Sequence, residues 1–417
     1  MLMTKCKSRP TSNLWMIFLT GLGLSSCGSI DSVGEVEKVV APLSQVTSLS
    51  AGLEHTCAVS RGAVFCWGEN NYGALGLGST LQSSVGIRAS FRDLGASVTQ
   101  VAAGQNFSCA VRGGEAWCWG ENRFGSLGNG STTSAREPSR VTGLNGQVNQ
   151  VAAGFQHACA LTSSGVYCWG RNHRGQSGNG TTTKSSSAIL VSGLPGIPSR
   201  IDAAGDSSCA LMGGGALYCW GDNFKGELGD GQASGGQSAS PVLVTGFGTG
   251  VTDFSMGSDH VCAISAGQLS CWGDNEFGQL GDGSQTRRNV PTPISGQSWV
   301  GVAAGGLHSC AWQNSGALFC WGKNAQGQLG TGSSTDAFSP AEVSGLPRAV
   351  TAVALGKGLT SGHSCALLSD QTLYCWGAGQ LGQLGDNSRV ERSLVPVQVQ
   401  GTHPKNPRAP RAPLGWL

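Results

Sequence analysis

Charge is scarce in this sequence. Asp, Glu, Lys and Arg supply 12% of its 417 residues, with a formal net charge of +2, where an ordinary globular protein carries about 25%. So little charge, so evenly balanced, offers no basic face to nucleic acid or to an anionic membrane surface, and neither is expected as a partner. The apolar run LWMIFLTGLGL at 14–24 holds only eleven residues, and a membrane-spanning helix needs about 20. A 3.6-residue periodicity is also lacking, which leaves helices out of the repeating part. Zinc-type cysteine spacing and interleaved histidine ligands do not occur. Nor do an HExxH string, a unique acid pair or a serine–histidine pair, so no catalytic residue is expected. The glycine strings at 128–130, 229–231 and 281–283 read as turn formers. No helix follows to hold phosphate, and the carboxylates of a calcium loop are missing. Neither a cofactor nor a metal is expected.

Glycine, with 67 residues, and cysteine, with 16, are plentiful. The first suits many tight turns, and the second an oxidising compartment. Lys5, Lys7 and Arg9 precede the apolar run as in a targeting segment. That segment ends Leu24-Ser25-Ser26-Cys27, which resembles the lipobox of bacterial lipoproteins. The resemblance implies that Cys27 is acylated and becomes the first residue of the mature chain. An ordinary signal peptide with a chance cysteine is the alternative. Gly28 rather than Asp follows, which implies the outer membrane of a bacterial envelope rather than the inner. The expected organisation is a signal peptide at 1–26, a tether at 27–36, a repeat region at 37–402 and a disordered Pro/Arg-rich tail at 403–417.

The repeat shows in CALTSSGVYCWGRN, which starts at Cys159 and returns in seven versions, with first cysteines at 57, 109, 159, 209, 262, 310 and 365. Each unit of about fifty residues holds four strand-sized runs, in the third unit QVNQVAAG, HACALT, GVYCWG and SAILVSGL. Such runs between Gly and Asn turns predict four-stranded antiparallel sheets, and seven of them predict an all-β, seven-bladed propeller. Folding the Cys159–Cys168 segment as a hairpin over a Ser163-Ser164 turn puts the cysteines opposite each other on a non-hydrogen-bonded pair. Their Cα atoms would then lie roughly 4.5–5.5 Å apart, within disulfide reach. The same count pairs Cys57 with Cys66, Cys109 with Cys118, Cys209 with Cys219, Cys262 with Cys271, Cys310 with Cys320 and Cys365 with Cys375. One disulfide per blade is expected, with three-residue loops at 213–215, 314–316 and 369–371. A fourth-strand-like run lies at each end of the repeats, at 39–52 and 393–400, and one of them should close the ring.

The strings GLEHTCAV, GFQHACAL and GGLHSCAW, followed by WGDNEFGQLGDGS and WGKNAQGQLGTGS, resemble the repeat of the regulator of chromosome condensation family over about residues 46–400. The family too implies a seven-bladed propeller. Trp67, Trp119, Trp169, Trp220, Trp272, Trp321 and Trp376 share one repeat position and are expected to pack the blades. His55, His157, His260, His308 and His363 share another, with Phe107 and Ser207 in the other two units, and are expected to be hydrogen-bonded structural histidines.

The resemblance also implies a surface. In the family's ultraviolet-sensing plant member, the two residues before the repeat histidine form the recognition surface. Carried over position by position, they are Leu53 and Glu54, Gln105 and Asn106, Phe155 and Gln156, Ser258 and Asp259, and Gly306 and Leu307. Unit four is one residue shorter, leaving Asp206, and unit seven inserts GKGLTSG at 356–362. No tryptophan occurs there, which disfavours light sensing. These positions differ in every unit while the blade-packing positions barely vary, the contrast a binding face on a fixed scaffold produces; simple drift of exposed loops is the other explanation. Leu53, Phe155 and Leu307 are the expected apolar anchors. Carboxylates at this mouth are only Glu54, Asp206 and Asp259, scattered over three blades, which disfavours an envelope enzyme acting on cell-wall polymers. The expected function is a monomeric, non-enzymatic, lipid-anchored scaffold that binds a protein through one propeller face. A secreted β-lactamase inhibitor within the family is the sharpest parallel. Guanine nucleotide exchange, the namesake's activity, conflicts with a lipobox and seven disulfides.

Overall fold

The computed structural model describes residues 38–90, 97–232, 236–296, 298–360 and 362–404. The expected signal peptide, Cys27, the tether and residues 405–417 of the expected tail lie outside the described residues. Among those described, every regular element is a β-strand. Seven sheets form, six of them four-stranded with strands in chain order. Blade 3 is typical, with Val148–Ala153, His157–Thr162, Gly165–Gly170 and Ser185–Leu190. The first strands of successive blades touch around the axis, and Val46–Ala51 meets Val350–Leu355 to close a ring of seven.

The hairpin register is the one the cysteine spacing predicts: Thr162 faces Gly165, Leu161 faces Val166 and Cys159 faces Cys168. All seven disulfides form within their hairpins, with Cα separations of 4.0–4.1 Å, closer than expected. Each closes a loop worth about 2–3 kcal/mol by chain entropy. Arg61 and Gly62, at φ 51° and 71°, make the primed two-residue turn that suits strand twist. In the three-residue loop of blade 7, Gln371 takes φ 63°, a conformation that glycine fills in the corresponding loops of blades 4 and 6.

The apolar core lies between blades rather than within them. Ala58, Phe65 and Trp67 of blade 1 pack with Cys365, Leu373 and Cys375 of blade 7, and six equivalent clusters occupy the other junctions. The recurring tryptophans are fully buried in these junctions. Each donates its indole N–H to the preceding blade, as Trp220 does to the Gln176 carbonyl at 2.9 Å and Trp67 to Gln383 at 2.8 Å across the closure. A glycine of the preceding blade lies against each ring: a Cβ on Gly178 would come within 2.7 Å of Trp220 Nε1.

Both terminal runs are used, each differently. Residues Arg392–Gln398 complete blade 7 as its fourth strand. Strand Lys38–Pro42 pairs antiparallel with Gln400–Pro404, and this pair lies outside Ser83–Arg88 of blade 1, joined by a parallel bridge between Gly401 and Gly86. Every blade is thus continuous in sequence, and no blade is closed by a strand exchanged between the termini. The closing strand Gln400–Pro404 runs two residues past the expected end of the repeat region.

Candidate functional site

Antiparallel order places the connections before the second strand and after the third strand at one end of every blade. At the heart of that end is a chain of side chains. His157 Nε2 lies 2.9 Å from the Ser208 hydroxyl of the next blade, and His55 meets Ser108, His260 Ser309, His308 Ser364 and His363 Thr56 in the same way. Ser208 donates onward to the Gln176 carbonyl at 3.1 Å, so the histidine must carry its proton on Nε2 and donate. Nδ1 of His157, His260 and His308 has no hydrogen-bond partner. It is pressed against the repeat glycine: a Cβ on Gly154 would fall 2.5 Å from His157 Nδ1. A second proton has nowhere to go. Burial accordingly pushes His55, His157 and His308 down to about 3 and His260 to about 4. These histidines are structural.

The residues before the histidines form an inner ring bonded through its backbone. Phe155 N–H donates to Gly205 O at 2.9 Å, Ser258 N–H to Gly305 O at 3.0 Å and Gly306 N–H to Gly356 O at 3.0 Å, each to the next blade. Leu53, Glu54, Gln105, Asn106, Phe155, Asp206 and Asp259 are half-buried, and Gln156, Ser258, Gly306 and Leu307 are buried. Leu307 is buried, and the inserted loop of blade 7 passes close to its neighbour Gly306, with the Gly358 carbonyl 2.2 Å from where a Gly306 Cβ would stand.

A second set of variable residues, not singled out by the sequence reading, stands outside this ring. In six blades a buried asparagine (Asn70, Asn122, Asn172, Asn223, Asn275, Asn324) follows the Trp-Gly. Its Oδ1 accepts the N–H five residues on, as at Leu127, and in five of the six Nδ2 donates to two carbonyls further along, which fixes the loop. Of the two residues after it the first is exposed and the second, Tyr72 apart, is half-buried: Asn71 and Tyr72, Arg123 and Phe124, His173 and Arg174, Phe224 and Lys225, Glu276 and Phe277, Ala325 and Gln326. Phe224 is 53% exposed and Tyr72 46%. The signal was available: an N-x-x-G frame, present in six units and replaced by Gly379-x-x-Gly382 in the seventh, around a pair that never repeats.

The loops also bring charge together. The residue after each Trp-Gly donates its N–H to the residue before the histidine, as Asp222 does to Asp206 and Asp274 to Asp259. Asp206, Asp222, Glu227, Asp259 and Asp274 are therefore neighbours on blades 4 and 5, which corrects the expectation of scattered carboxylates. Burial raises Glu227 to about 8, with Asp222 adding to it, and raises Asp259 to about 6, with Asp274 adding. Several of these groups are engaged: Lys225 lies 3.2 Å from Asp274, which also accepts from Gln279, and Gln176 donates to Asp206 at 2.9 Å. On blades 2 and 3, Arg123 and Arg171 lie over the Phe124 ring at 4.9 and 5.1 Å. No group of three or more His, Cys, Asp or Glu among the described residues is placed to hold a metal ion. The face offers aromatic rings beside paired charges of both signs, which is contact chemistry.

Comparison with known proteins agrees with this geometry. The RCC1-like domain matches residues 19–361, and the regulator of chromosome condensation repeat matches 359–383. The ultraviolet-B receptor UVR8 of Arabidopsis thaliana is 32% identical over 388 residues, covering 91% of this chain and 75% of its own. The crystal structure of human WBSCR16 superposes with a TM-score of 0.71 at 26% identity, over 78% of this chain and 88% of that one. Prp20p of Saccharomyces cerevisiae, a protein described with its binding to Gsp1p and histones, shares the fold at a TM-score of 0.71 and 20% identity, over 88% of each chain. With its seven repeats and ring of junction tryptophans, the chain belongs to the RCC1-like domain family.

Proposed function

We propose that this propeller is a non-enzymatic, lipid-anchored scaffold of the cell envelope that binds a protein partner through the face carrying the histidine loops and the N-x-x-G pairs. One observation carries the reading: pairs of side chains that no two of these blades share, among them the exposed aromatics Tyr72 and Phe224, are held on a frame whose buried residues scarcely change. Interface energy concentrates in such rigid aromatic anchors, and a protein described as binding partners has the same fold. Tyr72, Phe224 and Leu359 are exposed on this face, whereas Leu307 is a buried packing residue. In tagged protein crosslinked in its native envelope, the triple change Tyr72→Ser, Phe224→Ser and Leu359→Ser should reduce capture of a specific protein at least tenfold with thermal stability unchanged. Undiminished capture would remove this face from the account. The gathered carboxylates of blades 4 and 5 favour a second reading, an enzyme acting on cell-wall polymers. It predicts released polymer fragments and no stable crosslinked protein in the same experiment.

The anchor rests on Cys27 at the end of its lipobox-like segment and on cysteine pairing that suits an oxidising compartment. The change Cys27→Ser should move the protein from the membrane to the soluble fraction. Unchanged membrane association would count against lipidation.

A further inference from the structure

The loop inserted in blade 7 turns into the axis of the ring. Lys357 N–H donates to the Gly52 carbonyl of blade 1 at 2.9 Å, and its own carbonyl accepts the Ser258 hydroxyl of blade 5 at 2.9 Å. Beside it, the Gly356 carbonyl accepts Gly306 N–H of blade 6. The side chain crosses to the other side, where Nζ donates to the Ala153 carbonyl of blade 3 at 3.0 Å and to the Ala203 carbonyl of blade 4 at 2.5 Å. Two consecutive residues thereby hold five other blades. The carbonyls are fixed in place, Ala153 closing its inner strand and Ala203 next to last in its own. Behind them the Asp202 carboxylate, held by the N–H groups of Ala203 and Met256, attracts the ammonium. Lys357 is half-buried. The surrounding protein still pushes its amine below the usual lysine range, with Asp202 opposing. The corresponding connections in the other blades are only two or three residues long.

We propose that the axial mouth of the propeller is a binding site for a primary ammonium group, formed by the Ala153 and Ala203 carbonyls, and that Lys357 is its tethered occupant. The ammonium locks the ring from inside, where hydrogen bonds between neighbouring blades cannot reach across. Two converging carbonyls select a group with several N–H donors over a quaternary cation of equal charge. The site lies at the same end of the ring as the proposed partner face, and its test reads stability alone, with no partner present.

Lys357→Ala shortens the side chain by a propylammonium fragment. The variant should melt at lower temperature than the parent, and n-propylammonium should restore at least half of the loss. Tetramethylammonium at equal concentration should restore none, and the parent should respond to neither cation. An unchanged melting temperature, or equal effects of the two cations on the variant, would overturn the proposal. If the variant does not fold, reductive methylation of the parent decides: Lys357 should react at least tenfold more slowly than the exposed Lys184, and equal rates overturn the site.

Discussion

A buried histidine that keeps one proton needs one acceptor, and here the acceptor always belongs to the next blade. This explains the two units without histidine. Blade 2 has Phe107, and the residue facing it from blade 3 is Ala158; blade 4 has Ser207, and blade 5 offers Val261. Wherever histidine is present, the next blade supplies Ser or Thr. Within this chain the pair, not the histidine alone, is what recurs. Ser208→Ala alone should leave a buried N–H without an acceptor and cost about 1–3 kcal/mol. The double change His157→Phe and Ser208→Ala, which copies the Phe107–Ala158 junction, should be at least about 1 kcal/mol more stable than the sum of the single changes. Urea unfolding of the four proteins measures this, and simple additivity would contradict the pairing. The same variant has a pH signature. His157 is depressed to about 3 when folded against about 6.5 when unfolded. Its contribution is therefore complete above pH 6.5 and lost as the pH falls toward 3. Around pH 5, the double variant should take up one proton fewer on unfolding, lowering the slope of stability by about 1.4 kcal/mol per pH unit.

At the scale of strands and loops, the readable features were those with a local cause. Cysteine spacing set the hairpin register because side-chain alternation has a period of two, so one count decides which residues face each other. Junction packing was readable because one residue filled one position seven times. The N-x-x-G pairs follow from strand parity: two strands separate them from the histidine loops, so both connections lie at the same end. Contacts that join distant parts were not readable. Lys357 reaches Ala153 across 204 positions with no pattern to announce it, and the approach of its loop to Gly306 is equally silent in sequence. Ring closure was half readable. The two terminal runs had strand character, but their pairing with each other on the outer edge of blade 1 depends on where the seventh blade brings the chain.

At the scale of the whole molecule, the packing residues and the variable residues separate in space. Tryptophans, histidines and glycines join blade to blade and a disulfide pins each hairpin, while one end of the ring carries pairs of side chains that no two blades share. The central claim is that this end is the binding surface. Hydrogen–deuterium exchange of the protein, alone and with its captured partner, tests it most directly. The account predicts new protection confined to the N-x-x-G loops at 70–73, 122–125, 223–226 and 275–278 and to the neighbouring histidine loops. Protection at the hairpin turns 61–62, 113–114, 163–164 and 213–215 on the opposite end, with those loops unchanged, would contradict it.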